Sequence, residues 1–124
     1  MTGLEGEAIA ADFLIKRGYK IVEQNFRCAL GEIDLIAWEG ETLVFVEVKA
    51  RSSSQFGGPE EAVTLRKQEK INRVALAYLQ QKKLFTALCR FDVVGIVKEG
   101  SGVVITLFQN AFEGGATPSR RAFF

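Results

Sequence analysis

The stretch TLVFVEVK at residues 42–49 constrains the fold more than any other part of the chain. In an extended strand Val44, Val46 and Val48 fall on one face, and Leu43, Phe45, Glu47 and Lys49 on the other. A strand that is apolar on both sides must be covered on both sides, which places it inside a sheet flanked by helices. EIDLIAW at residues 32–38 has the same β character. The short Glu39-Gly40-Glu41 connection makes the two an antiparallel hairpin. A register with Trp38 opposite Leu43 sets Ile36 opposite Phe45 and Asp34 opposite Glu47, with Cβ atoms ~5 Å apart. A slip of one residue would send the two acids to opposite faces.

The rest of the chain supplies the covering layers. Leu4, Ala8, Ala11 and Ile15 recur at helical spacing, widened by Phe13 and Leu14, and predict a helix over residues 4–17 ended by Gly18. Tyr19–Gln24 reads as a first strand. RSSSQFGG at residues 51–58 reads as a loop, and Pro59 and Glu60 as the opening of a short helical turn. Thr64 is a natural N-cap for a long helix to about Lys83, whose stripe is Ile71, Val74, Ala75, Tyr78 and Leu79. Residues 90–97 and 103–108 read as two more strands. The predicted class is α/β, one mixed sheet with helices packed on it, the second helix making the crossover to a parallel strand. Residues 1–112 are expected to form one domain, and residues 113–124, of turn composition, a mobile tail.

Composition removes several chemistries. The chain has no histidine, which excludes Ser-His-Asp and Cys-His nucleophiles and nucleases with a histidine base. Cys28 and Cys89 match no zinc or redox spacing and read as reduced, partly buried thiols. Neither GxxxxGK[ST] nor GxGxxG occurs. No apolar run reaches the ~20 residues that span a bilayer, and the first residues lack the basic and apolar regions of a signal peptide, so a cytoplasmic location is expected. Net charge is +1, but residues 1–48 carry 4 basic and 9 acidic groups, and residues 49–90 carry 9 basic and 3 acidic ones. Such segregation suits local binding of a polyanion, or simply a solvated helix face.

Any catalysis in this chain must therefore rest on carboxylates, Lys, Arg and a hard metal ion. Asp34 and Glu47 together offer an oxygen site suited to Mg²⁺. The Val48 carbonyl could complete it, with Lys49 orienting water or stabilising charge on a phosphate. The rival reading is a buried salt-bridge cluster, which costs more than apolar residues would.

GEIDLI followed by VFVEVKAR resembles the D…ExK signature of the PD-(D/E)XK nuclease superfamily, and more narrowly the YraN-like family of bacterial proteins. GEAIAADFLIKRGY, NFRCALGEIDLI, FVEVKAR, TLRKQEKI, RFDVV and the late NAF extend the resemblance over nearly the whole chain. It implies a restriction-endonuclease-like αβββαβ core and hydrolysis of DNA phosphodiesters with Mg²⁺ or Mn²⁺. Asp34 and Glu47 would be ligands and Lys49 the catalytic lysine. In related archaeal Holliday junction resolvases a helix glutamate joins the site, and Glu7 occupies that place. Those relatives cut junction DNA as dimers, so the resemblance points to branched DNA as substrate and to a possible homodimer. Ile33 stands where the superfamily has proline. Without the resemblance Glu7 reads as a solvated acid favoured by the helix dipole.

Arg27 and Arg51 bracket the two strands and are placed for a phosphate backbone. Lys67, at the top of the buried helix stripe, either reaches the site or snorkels. Lys70 and Arg73 are candidate phosphate contacts on the flank, with surface solvation as the alternative. Arg90 and Asp92 read as charges that pair with others, and Trp38 and Phe45 as core. The alternative to a nuclease is a nucleic-acid-binding or adaptor protein that keeps the fold without turnover.

Overall fold

A computed structural model describes residues 3–51 and 63–112. The elements are α1 (Gly3–Lys16), β1 (Lys20–Cys28), β2 (Gly31–Glu39), β3 (Thr42–Arg51), α2 (Leu65–Gln81), β4 (Leu88–Glu99) and β5 (Gly102–Phe112). This is a mixed α/β architecture, consistent with a restriction-endonuclease-like core. The expected loop beyond Arg51, the turn at Pro59 and Glu60, and the tail 113–124 lie outside the described residues. Among the described residues, no helix is long and apolar enough to cross a membrane.

The sheet runs β1-β2-β3-β4-β5, with β3 and β4 parallel and the other neighbours antiparallel. β3 is thus the central strand that its two apolar faces require. Trp38 pairs with Leu43 and Ile36 with Phe45, as the sequence predicts. Only Gly40 and Glu41 separate β2 from β3, and Gly40 takes φ 59°, the left-handed conformation that suits a glycine in a tight hairpin.

Each sheet face carries its own core. On one, Ile71, Val74, Ala75, Tyr78 and Leu79 of α2 pack on Ile33, Ile36, Leu43, Phe45, Phe91 and Val93. The Tyr78 ring meets Phe26 and Phe45 edge-on at 5.0 and 6.1 Å between centroids. On the other, Ala10, Ala11 and Leu14 of α1 pack on Leu35, Ala37, Val44, Val46, Val94 and Ile96. Trp38 and Phe45 are core, as expected.

Several elements differ from the sequence reading. The buried stripe of α1 is Gly6, Ala10, Ala11 and Leu14, whereas Leu4 is 72% and Ile15 55% exposed. Ala10 and Ala11 let the helix approach the branched side chains of β3 closely, and the larger Leu4 and Ile15 rotate outward. That rotation turns Glu7, three residues before Ala10, towards the sheet. β1 runs on to Cys28 because pairing with β2 overrides its polar composition, through a register shift at Ile21/Glu23. β4 and β5 are longer at both ends than predicted, since parallel pairing with β3 from Thr42↔Leu88 extends the start of β4 and the β4–β5 hairpin extends the rest. Thr64 caps α2 as expected, its Oγ1 accepting the Lys67 N–H at 3.2 Å.

Gly31 brings the β1–β2 turn against α2. Its φ is +146°, and a Cβ there would lie 3.1 Å from Lys70 Cε and 3.2 Å from Val74 Cγ2. Gly31→Ala should cost about 1–3 kcal/mol, through backbone strain and contact with the core residue Val74. Urea unfolding measures it, and a stability equal to wild type would show that the turn gives way freely.

Candidate functional site

The β2–β3 ladder is paired from Glu39↔Thr42 to Leu35↔Val46 and then opens. Asp34 and Glu47 occupy the next positions, at the mouth of the opening. The alternation of β2 breaks here: Ile33 joins Ile36 under α2, although Leu35 packs under α1. Asp34 is thereby left at the boundary between the two faces. Its Oδ2 accepts the backbone N–H of Val48 at 2.8 Å, a bond that ties β2 to β3 beyond the ladder.

Two hollows meet at this point. One, about 480 Å³, lies on the α2 side and is lined by Arg27, Gly31, Glu32, Lys70 and Ile71 among others. The second, about 320 Å³, is lined by Gly3, Glu7, Val48, Lys49 and Ala50. Asp34, Glu47 and Lys67 line both. The acids therefore stand in the floor of a cleft between the helices.

Glu47 is only 6% exposed. Its Oε2 receives Lys67 Nζ at 2.5 Å and lies 3.7 Å from Lys49 Nζ. The Asp34 carboxyl is pushed up to about 7, first by burial and then by the negative charge of Glu47. The Val48 N–H opposes this, and Glu7 adds to it. Burial, followed by repulsion from Glu32, also raises Glu7. The Lys49 ammonium is lowered, first by burial and then by Lys67 beside it.

These shifts give a test of whether a cation fits. A half-buried carboxyl raised first by desolvation and then by a second carboxylate is one whose ionised form a hard cation would stabilise. Two carboxylates with room for water match the modest protein ligation of Mg²⁺. Among the described residues, no three Asp, Glu, Cys or His side chains stand as a closed ligand set. Glu7 reaches the second hollow and interacts with Asp34 without completing such a ring. The residues present fit an open, largely hydrated site.

A pH dependence follows from Asp34. Its folded pKa lies above the unfolded value of about 3.9, so from about pH 4 to pH 7 the native state holds a proton that the unfolded chain has lost. Stability from this group is present at low pH and is lost as pH rises through 7. Asp34→Asn should therefore gain stability relative to wild type as pH is raised from about 5 to 8. Thermal melts across pH measure this, and a gap independent of pH would contradict the burial of Asp34.

The remaining candidates divide. Arg27 and Lys70 line the larger hollow, Arg27 paired with Glu32 at 3.0 Å. Arg51 ends β3 close enough to lower Lys49 by repulsion. Arg73 is exposed on α2 and lines neither hollow. Lys67 sits on a carboxylate, which its place on the helix stripe left open.

Sequence reasoning missed how far the Arg90–Asp92 pair extends. Asp92 is fully buried and accepts from Tyr19 Oη at 2.8 Å, Arg90 Nε at 2.9 Å and Asn110 N at 2.9 Å. Arg90 also reaches Glu39 at 2.5 Å. A charged residue inside the apolar run RFDVVGIV was the available signal. Arg90 and Asp92 line neither hollow beside Asp34.

Comparison with known proteins places this architecture. The family described as "Uncharacterised protein family UPF0102" matches residues 6–96, which span α1 through β4's core. A UPF0102 protein of Syntrophus aciditrophicus is 49% identical over 112 residues, covering 90% of this chain and 88% of its own. One from Geotalea daltonii is 52% identical over 112 residues, with the same coverage. One from Caldicellulosiruptor bescii is 53% identical over 116 residues, covering 89% of this chain and 95% of its own. With the Asp34–Glu47 cleft inside the matched span and relatives alike over almost their full length, the chain belongs to the UPF0102, or YraN-like, family.

Proposed function

We propose that this protein is a divalent-metal-dependent endodeoxyribonuclease that hydrolyses phosphodiester bonds in branched or junction DNA. The observation that carries the reading is the Asp34–Glu47 pair at the opened end of a hairpin, Glu47 buried and Asp34 half-buried, with two lysines on the same cleft. Asp34, Glu47 and the Val48 carbonyl would hold Mg²⁺ or Mn²⁺, with Glu7 acting from α1. When bound, the ion supplies Lewis-acid polarisation of a phosphoryl oxygen and acidifies water. Lys49 orients the attacking water and stabilises negative charge growing on the phosphate. Arg27, Arg51, Lys67 and Lys70 would position the backbone, with Arg73 an outlying contact. Recognition is then of backbone and shape.

A non-catalytic DNA-binding protein is favoured by one feature, the Lys67–Glu47 ion pair, which balances the charge of Glu47 within the protein itself. A cleavage assay over linear, flapped and four-way DNA with Mg²⁺ and Mn²⁺ separates the two. Turnover on branched substrates is the expected result, and salt-sensitive binding without turnover in either metal would replace the nuclease reading. Sedimentation of the protein with four-way DNA tests the dimer that a two-fold junction would require.

A further inference from the structure

The contact between Lys67 and Glu47 has a consequence for any ion in the cleft, and it rests on the proposed ion site. Lys67 lies in the first turn of α2, whose start is held by the Thr64 cap. Its Nζ is 2.5 Å from Glu47 Oε2, whereas Lys49 Nζ is 3.7 Å from the same oxygen. Glu47 is almost fully buried, and a carboxylate so placed needs a positive partner. Lys67 is the nearer partner, yet its side chain is 41% exposed and borders both hollows. Its flexible stem can carry the ammonium back to water without disturbing the core. A cation held by Asp34 and Glu47 would take over the charge that Lys67 now neutralises, and would repel the ammonium.

We infer that Lys67 is an exchangeable counter-ion: it holds Glu47 in the ion-free protein and is released into the cleft when a divalent cation binds. Lys67 is then a positioning residue that opposes ion binding at rest. Ion binding frees its amine for an anionic ligand in either hollow. By reciprocity, an anion that draws Lys67 away strengthens ion binding.

The test uses the full chain at pH 8, with Mn²⁺ binding followed by calorimetry. Lys67→Gln should bind Mn²⁺ roughly three- to tenfold more tightly than wild type, the scale of one part-exposed charged contact. Lys67→Arg, which keeps the charge, should stay near wild type. In wild type, Mn²⁺ should speed amine acylation of Lys67, read by mass spectrometry, several-fold relative to Lys82. Equal or weaker Mn²⁺ binding by Lys67→Gln, or an unchanged labelling rate in wild type, overturns the inference. If Asp34→Asn abolishes Mn²⁺ binding but Lys67→Gln matches wild type, the counter-ion role alone fails. If Asp34→Asn binds Mn²⁺ as wild type does, or no form binds it, the ion site fails and the counter-ion role with it.

Discussion

Asp34→Ala and Glu47→Ala should each lower the proposed Mg²⁺- or Mn²⁺-dependent DNA cleavage by at least about a hundred- to a thousandfold, the scale set by losing one preorganised electrostatic group. The loss should appear in the chemical step, since both acids lie in the cleft floor and the basic residues at its rim are untouched. DNA affinity in the absence of metal should therefore be retained. The fold should also survive. Asp34→Ala leaves the Val48 N–H without its acceptor, at about 1–3 kcal/mol, but removes a carboxylate that burial and Glu47 disfavour. Glu47→Ala frees Lys67, which can turn to solvent. Single-turnover cleavage alongside circular dichroism measures both effects. Wild-type cleavage by either variant would remove the acidic pair from the mechanism.

The second large effect concerns stability. Asp92→Ala should destabilise the fold by about 2–4 kcal/mol, because it leaves Arg90 with Glu39 as its remaining carboxylate and leaves Tyr19 Oη and the Asn110 N–H short of an acceptor. Asn110 has φ 53° and sits where β5 slips its register against β4 between Phe91 and Val93. Asp92 thus fastens an irregular strand to the sheet, and its removal should loosen the end of β5 first. Urea denaturation gives the magnitude, and hydrogen exchange along β5 gives the location. A loss below about 1 kcal/mol would mean that Glu39 and Gln109 re-form the network without Asp92.

The two effects are separable because Asp92 and Arg90 share no contact with the acids of the cleft. A folded Asp92→Ala molecule should cleave at the wild-type rate, whereas a folded Asp34→Ala molecule should not.

Much of this arrangement is legible in the linear chain. The two-faced apolar pattern of residues 42–49 requires a central strand, and the short connection to residues 32–38 requires a hairpin. Together they set the register that brings Asp34 and Glu47 to neighbouring positions, because side chains in strands alternate strictly and pairing has few options. The stripe of α2 was equally plain, since its apolar residues fall at one spacing only. In α1 the apolar residues support two overlapping stripes. Which one is buried depended on how closely the helix could approach Val44 and Val46, a packing question that favoured Ala10 and Ala11.

The tertiary structure alone decided three further points. The opening of the ladder beyond Leu35↔Val46 came from the break that sends Ile33 under α2, and it turned two facing acids into the floor of a cleft. Lys67 met Glu47 because the crossover returns α2 across the end of β3, joining residues twenty positions apart. Asp92 gained its partners from α1's exit, β4 and β5, which come together only when the sheet is complete. Local pattern determines periodicity and pairing, which are properties of single segments; long-range charge pairing depends on which segments pack together, and only the folded chain settles that.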